Sequence, residues 1–129
     1  MRVVLVCGDR NWTSLIKVSR AVNEEHKLQP ITYLVEGGAG GADSLGNFAA
    51  KQLGIQTVTC DANWEYFGKA AGPIRNQKQL DLAAALVNGG NLLSSLLVLA
   101  FHPDLKNSKG TKDVVNRAKK AGVKVKVIK

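Results

Sequence analysis

At 129 residues, with 45% hydrophobic and 22% charged side chains, the chain has the makeup of one globular domain, 1–129, large enough to bury its own core. No apolar stretch approaches a membrane span, and Met1-Arg2-Val3-Val4-Leu5-Val6 runs into a strand pattern rather than a signal peptide, so a cytoplasmic protein without membrane contact is expected. The formal charge of +8 is local: residues 1–105 balance nine Lys/Arg with nine Asp/Glu, whereas 106–129 set nine against Asp113 alone.

The first apolar run, Arg2–Cys7, reads as a strand and leads into Gly8-Asp9-Arg10-Asn11-Trp12. A helix over about Ser14–Leu28 follows, with Leu15, Val18 and Val22 as its buried stripe. A second strand, Ile31–Val35, leads into Glu36-Gly37-Gly38-Ala39-Gly40-Gly41-Ala42-Asp43, which places four glycines in five positions. The helix after it, Ser44–Leu53, takes Asp43 as a candidate N-cap. A third strand, Gln56–Cys60, precedes the rim segment Ala62-Asn63-Trp64. Pro73 then suits the first position of a helix Pro73–Val87, whose buried residues are Leu80, Ala83, Ala84 and Val87. A fourth strand, Ser95–Phe101, is followed by His102 and a loop to Ser108-Lys109-Gly110-Thr111. The last helix, Lys112–Ala121, buries Val114, Val115 and Ala118, and the last strand is Val123–Ile128. In that strand valines alternate with Lys124 and Lys126, a pattern that guards an edge against pairing.

Near-continuous apolar strands joined by helical crossovers predict a Rossmann-like, doubly wound α/β fold: five parallel strands in the order 3-2-1-4-5 with helices on both faces. Its topological switch point lies between the first and fourth strands, and ligands bind there, outside the carboxyl ends of the strands. The rim at that point receives the Gly8–Trp12 segment, the glycine loop and the Phe101–Thr111 segment.

A glycine loop between a strand and a helix lets backbone N–H groups approach an anion, and the helix N-terminus adds partial positive charge. A plain flexible turn is the competing reading of the loop alone. The dinucleotide fingerprint is missing, because one glycine follows the first strand and Asp43 stands where the third glycine of Gly38-Ala39-Gly40 belongs. Neither a P-loop nor a G-x-S-x-G elbow occurs. Cys7 and Cys60 read as reduced core thiols, and with two histidines and no CxxC or HxxxH spacing neither a metal site nor a cofactor is expected.

Five motifs in register give the chain a resemblance to a family: Gly8–Trp12, Glu36–Asp43, Ala62–Trp64, Ala71-Gly72-Pro73-Ile74-Arg75-Asn76 after Gly68, and Ser108–Thr111. Together they resemble the YspA-like family of the SLOG superfamily, also described as a domain of unknown function, across nearly the whole chain. The resemblance implies a Rossmann-like domain that binds a nucleotide or nucleotide-derived ligand. It also implies kinship with phosphoribohydrolases of the LOG or lysine-decarboxylase-like type and with DNA-processing protein A. Family members often carry His where Glu36 stands. In the phosphoribohydrolases an arginine comparable to Arg75 is catalytic, and P-G-G-x-G-T-x-x-E ends in a catalytic glutamate, where this chain has Val114.

The expected ligand site comprises Gly8, Arg10, Trp12, Gly37, Gly38, Gly40, Gly41, Asp43, Trp64, Arg75, Asn76, Ser108, Gly110 and Thr111. Gly37, Gly38, Gly40, Gly41 and the start of the last helix would hold phosphate, and Arg10 and Arg75 would neutralise it. Arg75 stands in a first helical turn, where a cation opposes the helix dipole; an anion in the pocket or a salt bridge to Asp9 or Glu36 would account for it. Trp12 and Trp64 either stack on a base or sugar or plug the edge of the core. Ser108 and Thr111 are also ordinary capping residues.

Binding of a nucleotide-derived small molecule is the leading expectation. The first alternative is N-glycosidic cleavage of a nucleoside monophosphate, with Arg75 and Glu36 as catalytic residues and Asp113 as the other candidate carboxylate. The second is nucleic-acid binding through the basic end, where edge protection is the favoured explanation of the lysines. Leu80, Leu82, Ala83, Ala84, Leu86 and Val87, followed by Leu92, Leu93, Leu96 and Leu97, exceed what one helix face needs, so a homodimer through this segment is expected.

Overall fold

The computed structural model describes residues 1–88 and 90–129. Five parallel strands, β1 (Val3–Gly8), β2 (Tyr33–Glu36), β3 (Gln56–Thr59), β4 (Leu96–Phe101) and β5 (Lys124–Ile128), form one sheet in the order β3-β2-β1-β4-β5. β1 and β4 pair along their whole length, from Val3 opposite Leu96 to Gly8 opposite Phe101. The connecting helices are α1 (Leu15–Leu28), α2 (Ala42–Gln52), α3 (Trp64–Phe67), α4 (Ala71–Val87), α5 (Leu92–Ser95) and α6 (Gly110–Lys120), and none is long and apolar enough to cross a membrane. The expected Rossmann-like α/β architecture and strand order are the ones observed.

Side-chain alternation along the two central strands divides the core. Val3, Leu5 and Cys7 of β1, with Leu96, Val98 and Ala100 of β4, pack toward Leu80, Ala83 and Val87 of α4 and Val114, Val115 and Ala118 of α6. Val4 and Val6, with Leu97, Leu99 and Phe101, pack toward Val18 and Val22 of α1 and Ala49 and Ala50 of α2. A strand buried on both faces cannot alternate with polar residues, which is why β1 and β4 read as unbroken apolar runs.

α2 packs closely on β1. A Cβ on Gly46 would lie 2.9 Å from Val6 Cγ1, so glycine sets that approach. Arg2 and Lys126 hold the buried carboxylate of Glu25 on α1, tying the edge strand β5 to the opposite helix layer. The leucines beyond the inner face of α4 are partly absorbed, since Leu82, Leu86 and Leu92 are half-buried against the core.

Candidate functional site

β1 and β4 end at the switch point, and the cleft there has a volume of about 400 Å³. Cys7 to Arg10 form one wall, and Ala39 and Asp43 come from the glycine loop and α2. Arg75, Asn76 and Gln79 come from α4, while Ser108, Lys109, Gly110, Thr111 and Val114 come from the start of α6. Trp64 and His102 complete the rim. Of the expected residues the structure therefore brings together Gly8, Arg10, Asp43, Trp64, Arg75, Asn76, Ser108, Gly110 and Thr111.

The glycine loop does something other than cradle a ligand from outside. Gly37 N–H and Ala39 N–H both donate to Asp43 Oδ2 at 3.2 Å, and Gly38 N–H donates to Glu36 Oε1 at 2.6 Å. These donors are consumed by the chain's own carboxylates, and Gly37, Gly38, Gly40 and Gly41 do not line the cleft. Gly41 instead caps α2 at φ 64, with the carbonyls of Asp9 and Arg10 pressed against it, and Asp9 O accepts from Ala42 N–H at 3.1 Å. The helix thus begins at Ala42, and Asp43 is not its N-cap.

Glu36 is also placed differently from expectation. Its carboxylate, 2% exposed, accepts from Gly38 N–H, Thr59 Oγ1–H and Asn47 Nδ2–H, and it braces the loop against β3 and α2 outside the cleft. Trp12 donates from Nε1 to Ser14 O at 3.1 Å and tilts against Phe101 at 5.8 Å, sealing the core edge rather than covering a ligand. Trp64, 58% exposed, stands on the rim.

Arg75 forms no ion pair: its Nη1 donates to Gly37 O at 2.5 Å and its Nε donates to Asn76 Oδ1 at 3.1 Å. No carboxylate lies within ion-pairing distance of it among the described residues. Asn76, 3% exposed, donates to Asp113 Oδ2 at 2.9 Å and so links Arg75 to α6. Asp113 is further occupied by Arg117 at 2.9 Å, and Val114, in the family-glutamate position, is an apolar wall. At the α6 start Ser108 Oγ accepts from Thr111 N–H at 3.1 Å.

Burial pushes the Asp43 carboxyl up to about 7. The Ala39 N–H bond opposes the shift, the Glu36 charge adds to it, and Arg75 and the Gly37 N–H oppose it. Burial likewise pushes the Cys7 thiol far up, which makes it an inert wall residue. Cys7 and Cys60 are both unbridged. Among the described residues no group of three or more His, Cys, Asp or Glu side chains could hold a metal ion.

Gln79, Lys109 and Ala39 escaped the sequence reading. Gln79 had a signal: a polar residue three positions beyond Asn76, on the face that Leu80 and Ala83 bury.

The model of the YspA, cpYpsA-related SLOG family matches residues 2–67, which span β1 to α3 and include the glycine loop. Gene 61 protein of Mycobacterium phage D29 is 33% identical over 132 residues, covering 97% of this chain and 94% of that protein. The chain belongs to the YspA-related SLOG family. As a SLOG protein it also shares its fold with DNA processing protein A (DprA) from Streptococcus pneumoniae, whose X-ray structure superposes with a TM-score of 0.67 at 18% identity. That match covers 100% of this chain and 50% of DprA, so this SLOG chain spans half the length of that protein. Arg75, Asn76, Gln79 and the α6 start lie beyond the stretch that the family model matches.

Proposed function

We propose that this SLOG protein binds a nucleotide or nucleotide-derived anion in the switch-point cleft, with the charge at the α6 N-terminus and between Arg75, Arg10 and Lys109. The observation that carries the reading is the free charge of Arg75, a half-buried guanidinium held by a carbonyl and an amide with no carboxylate partner. Such a group in a cleft accepts an anion with charge-assisted bonds. The first turn of α6 adds its dipole beside Lys109, and Trp64 offers a ring at the rim. The family and the DprA-like fold fit a nucleotide- or nucleic-acid-related role.

Titration with nucleotides and inorganic pyrophosphate tests this. Ligand at 100 times its Kd should stabilise the protein by about 2.7 kcal/mol in a thermal melt. Arg75→Ala should weaken binding by about tenfold or more. Absence of any shift in the wild type removes the reading.

One observation favours N-glycosidic cleavage as a second reading. Asp9 and Asp43, not Glu36, place carboxyls in the cleft, and the Asp43 pKa near 7 suits a proton donor or acceptor. Free base released from a nucleoside monophosphate, and lost in Asp43→Asn, is the expected result; intact nucleotide after long incubation ends this reading. Nucleic-acid binding through the basic end stands behind both, since Asp113 and Glu25 already engage Arg117 and Lys126.

We further propose a homodimer through the outer side of α4 and α5, where Ala85 is exposed and Leu93 is 66% exposed. Light scattering should give twice the 13.8 kDa chain mass, falling to the single mass in Leu93→Glu.

A further inference from the structure

Gln79 lies on α4 and lines the cleft, yet it is 2% exposed. Its Oε1 is buried with no hydrogen-bond partner, the one such side-chain atom among the described residues. Folded proteins pair nearly all buried polar atoms, so an orphan acceptor at a cleft needs a cause outside the chain's own bonding. None of the side chains that line the cleft with it donates to it. Asn76 spends its amide N–H groups on Asp113 and Gly110, and Asp43 Oδ2 is itself an acceptor for Gly37 and Ala39. Cys7, Val114 and Thr111, all buried, line the same cleft.

The cleft is therefore polarised. Its exposed charged groups, Arg10 and Lys109, are cationic, whereas its buried part offers the unpaired Gln79 acceptor beside the Asp43 carboxyl. We propose that Gln79 sets the specificity of this cleft by accepting a hydrogen bond at Oε1 from an uncharged O–H or N–H group of the ligand, which enters neutral end first and leaves its anion at the cationic mouth. This rests on the anion-binding reading above. The terminal torsion of glutamine is soft, so the amide turns toward an entering donor with little resistance. A volume of about 400 Å³ holds far more than a phosphate group, and the remainder of the ligand must fill it. A ligand without the donor leaves Oε1 unpaired, and sites built around such a bond reject the analogue that lacks it.

Gln79→Met and Gln79→Leu remove the acceptor and keep the bulk. The probes are pyrophosphate, adenosine 5′-monophosphate, its 2′,3′-dideoxy form and inosine 5′-monophosphate, titrated calorimetrically against wild type and both variants. Wild type should bind adenosine monophosphate more tightly than pyrophosphate, and both variants should lose about tenfold on the nucleotide with pyrophosphate unchanged. Loss of the wild-type advantage with the dideoxy form assigns the donor to the ribose hydroxyls, and loss with the inosine form assigns it to the base amino group. Without ligand both variants should melt at or above the wild-type temperature, because an unpaired buried amide has gone. Melting several degrees lower in both would reveal a structural partner for Gln79 and overturn the inference. So would nucleotide affinity unchanged by the substitutions, or pyrophosphate binding without any nucleotide preference. Wild type that binds none of the probes fails the anion-binding reading itself.

Discussion

Gly37 shows how much one residue is asked to do in this site. Its N–H donates to Asp43, its carbonyl accepts from Arg75, and a Cβ there would meet Arg75 Nη1 at 2.6 Å and Asp43 Oδ2 at 3.0 Å. Its φ is not positive, so alanine is resisted by crowding and not by backbone strain. The flexible arginine gives way first. Gly37→Ala should therefore cost about 1 kcal/mol of stability or less, while weakening pyrophosphate binding as Arg75→Ala does. A thermal melt and a calorimetric titration on the same variant check both halves; unchanged affinity would show that the Gly37 contact does not place Arg75. At this scale the sequence made Arg75 legible, because a cation in a first helical turn opposes the dipole. It hid the fate of the loop N–H groups, since nothing in a glycine run tells whether an anion comes from a ligand or from Asp43 two residues beyond the last glycine.

Among the elements, the strands and the four long helices were legible because each carries a long periodic signal: Leu80, Ala83 and Val87 on α4, Val114, Val115 and Ala118 on α6. The ends were less so. α2, α4 and α6 each begin two residues earlier than the sequence implies, at Ala42, Ala71 and Gly110: a Gly41 turn and the Ser108 hydroxyl serve the first turns of α2 and α6, and Pro73 stands third in α4 rather than first. α3 and α5, four residues each, are too short for any stripe. Their only trace is the capping asparagine, Asn63 accepting from Tyr66 N–H at 3.1 Å and Asn91 accepting from Leu93 N–H at 2.9 Å. Glu36 ends β2 opposite Thr59, where the sequence predicts a loop, because one donor each from the glycine loop, β3 and α2 satisfies its carboxylate. Trp64 on α3 reached the rim as expected, whereas Trp12 was drawn into the core by Phe101 at the end of β4.

Over the whole molecule, two buried carboxylates with opposite shifts give stability a dependence on pH that neither produces alone. Asp43 titrates near 7 in the fold against an ordinary 3.8, so between these values the native state holds a proton that the unfolded chain has released. Its contribution is fully present below about 3.8 and is lost as pH rises through about 7. For Glu25 burial pushes the pKa up, but hydrogen bonds and charge from Lys126 and Arg2 outweigh it and hold the carboxyl below its ordinary 4.5. That contribution is present above 4.5 and is lost as pH falls through the lower folded value. Stability should therefore peak between about pH 3.8 and 4.5 and decline on both sides, each unit of difference being worth about 1.4 kcal/mol at full effect. Asp43→Asn keeps an acceptor oxygen for the Gly37 and Ala39 N–H groups but cannot titrate, so it should abolish the decline toward neutrality. Glu25→Gln should abolish the acid-side loss and lower the plateau, since Arg2 and Lys126 then face a neutral amide. Urea unfolding from pH 3 to 8 on the three proteins measures the slopes directly. A wild-type profile flat between pH 5 and 7, or an unchanged slope in Asp43→Asn, would show that Asp43 is charged in the fold and that the glycine loop holds a permanent internal anion.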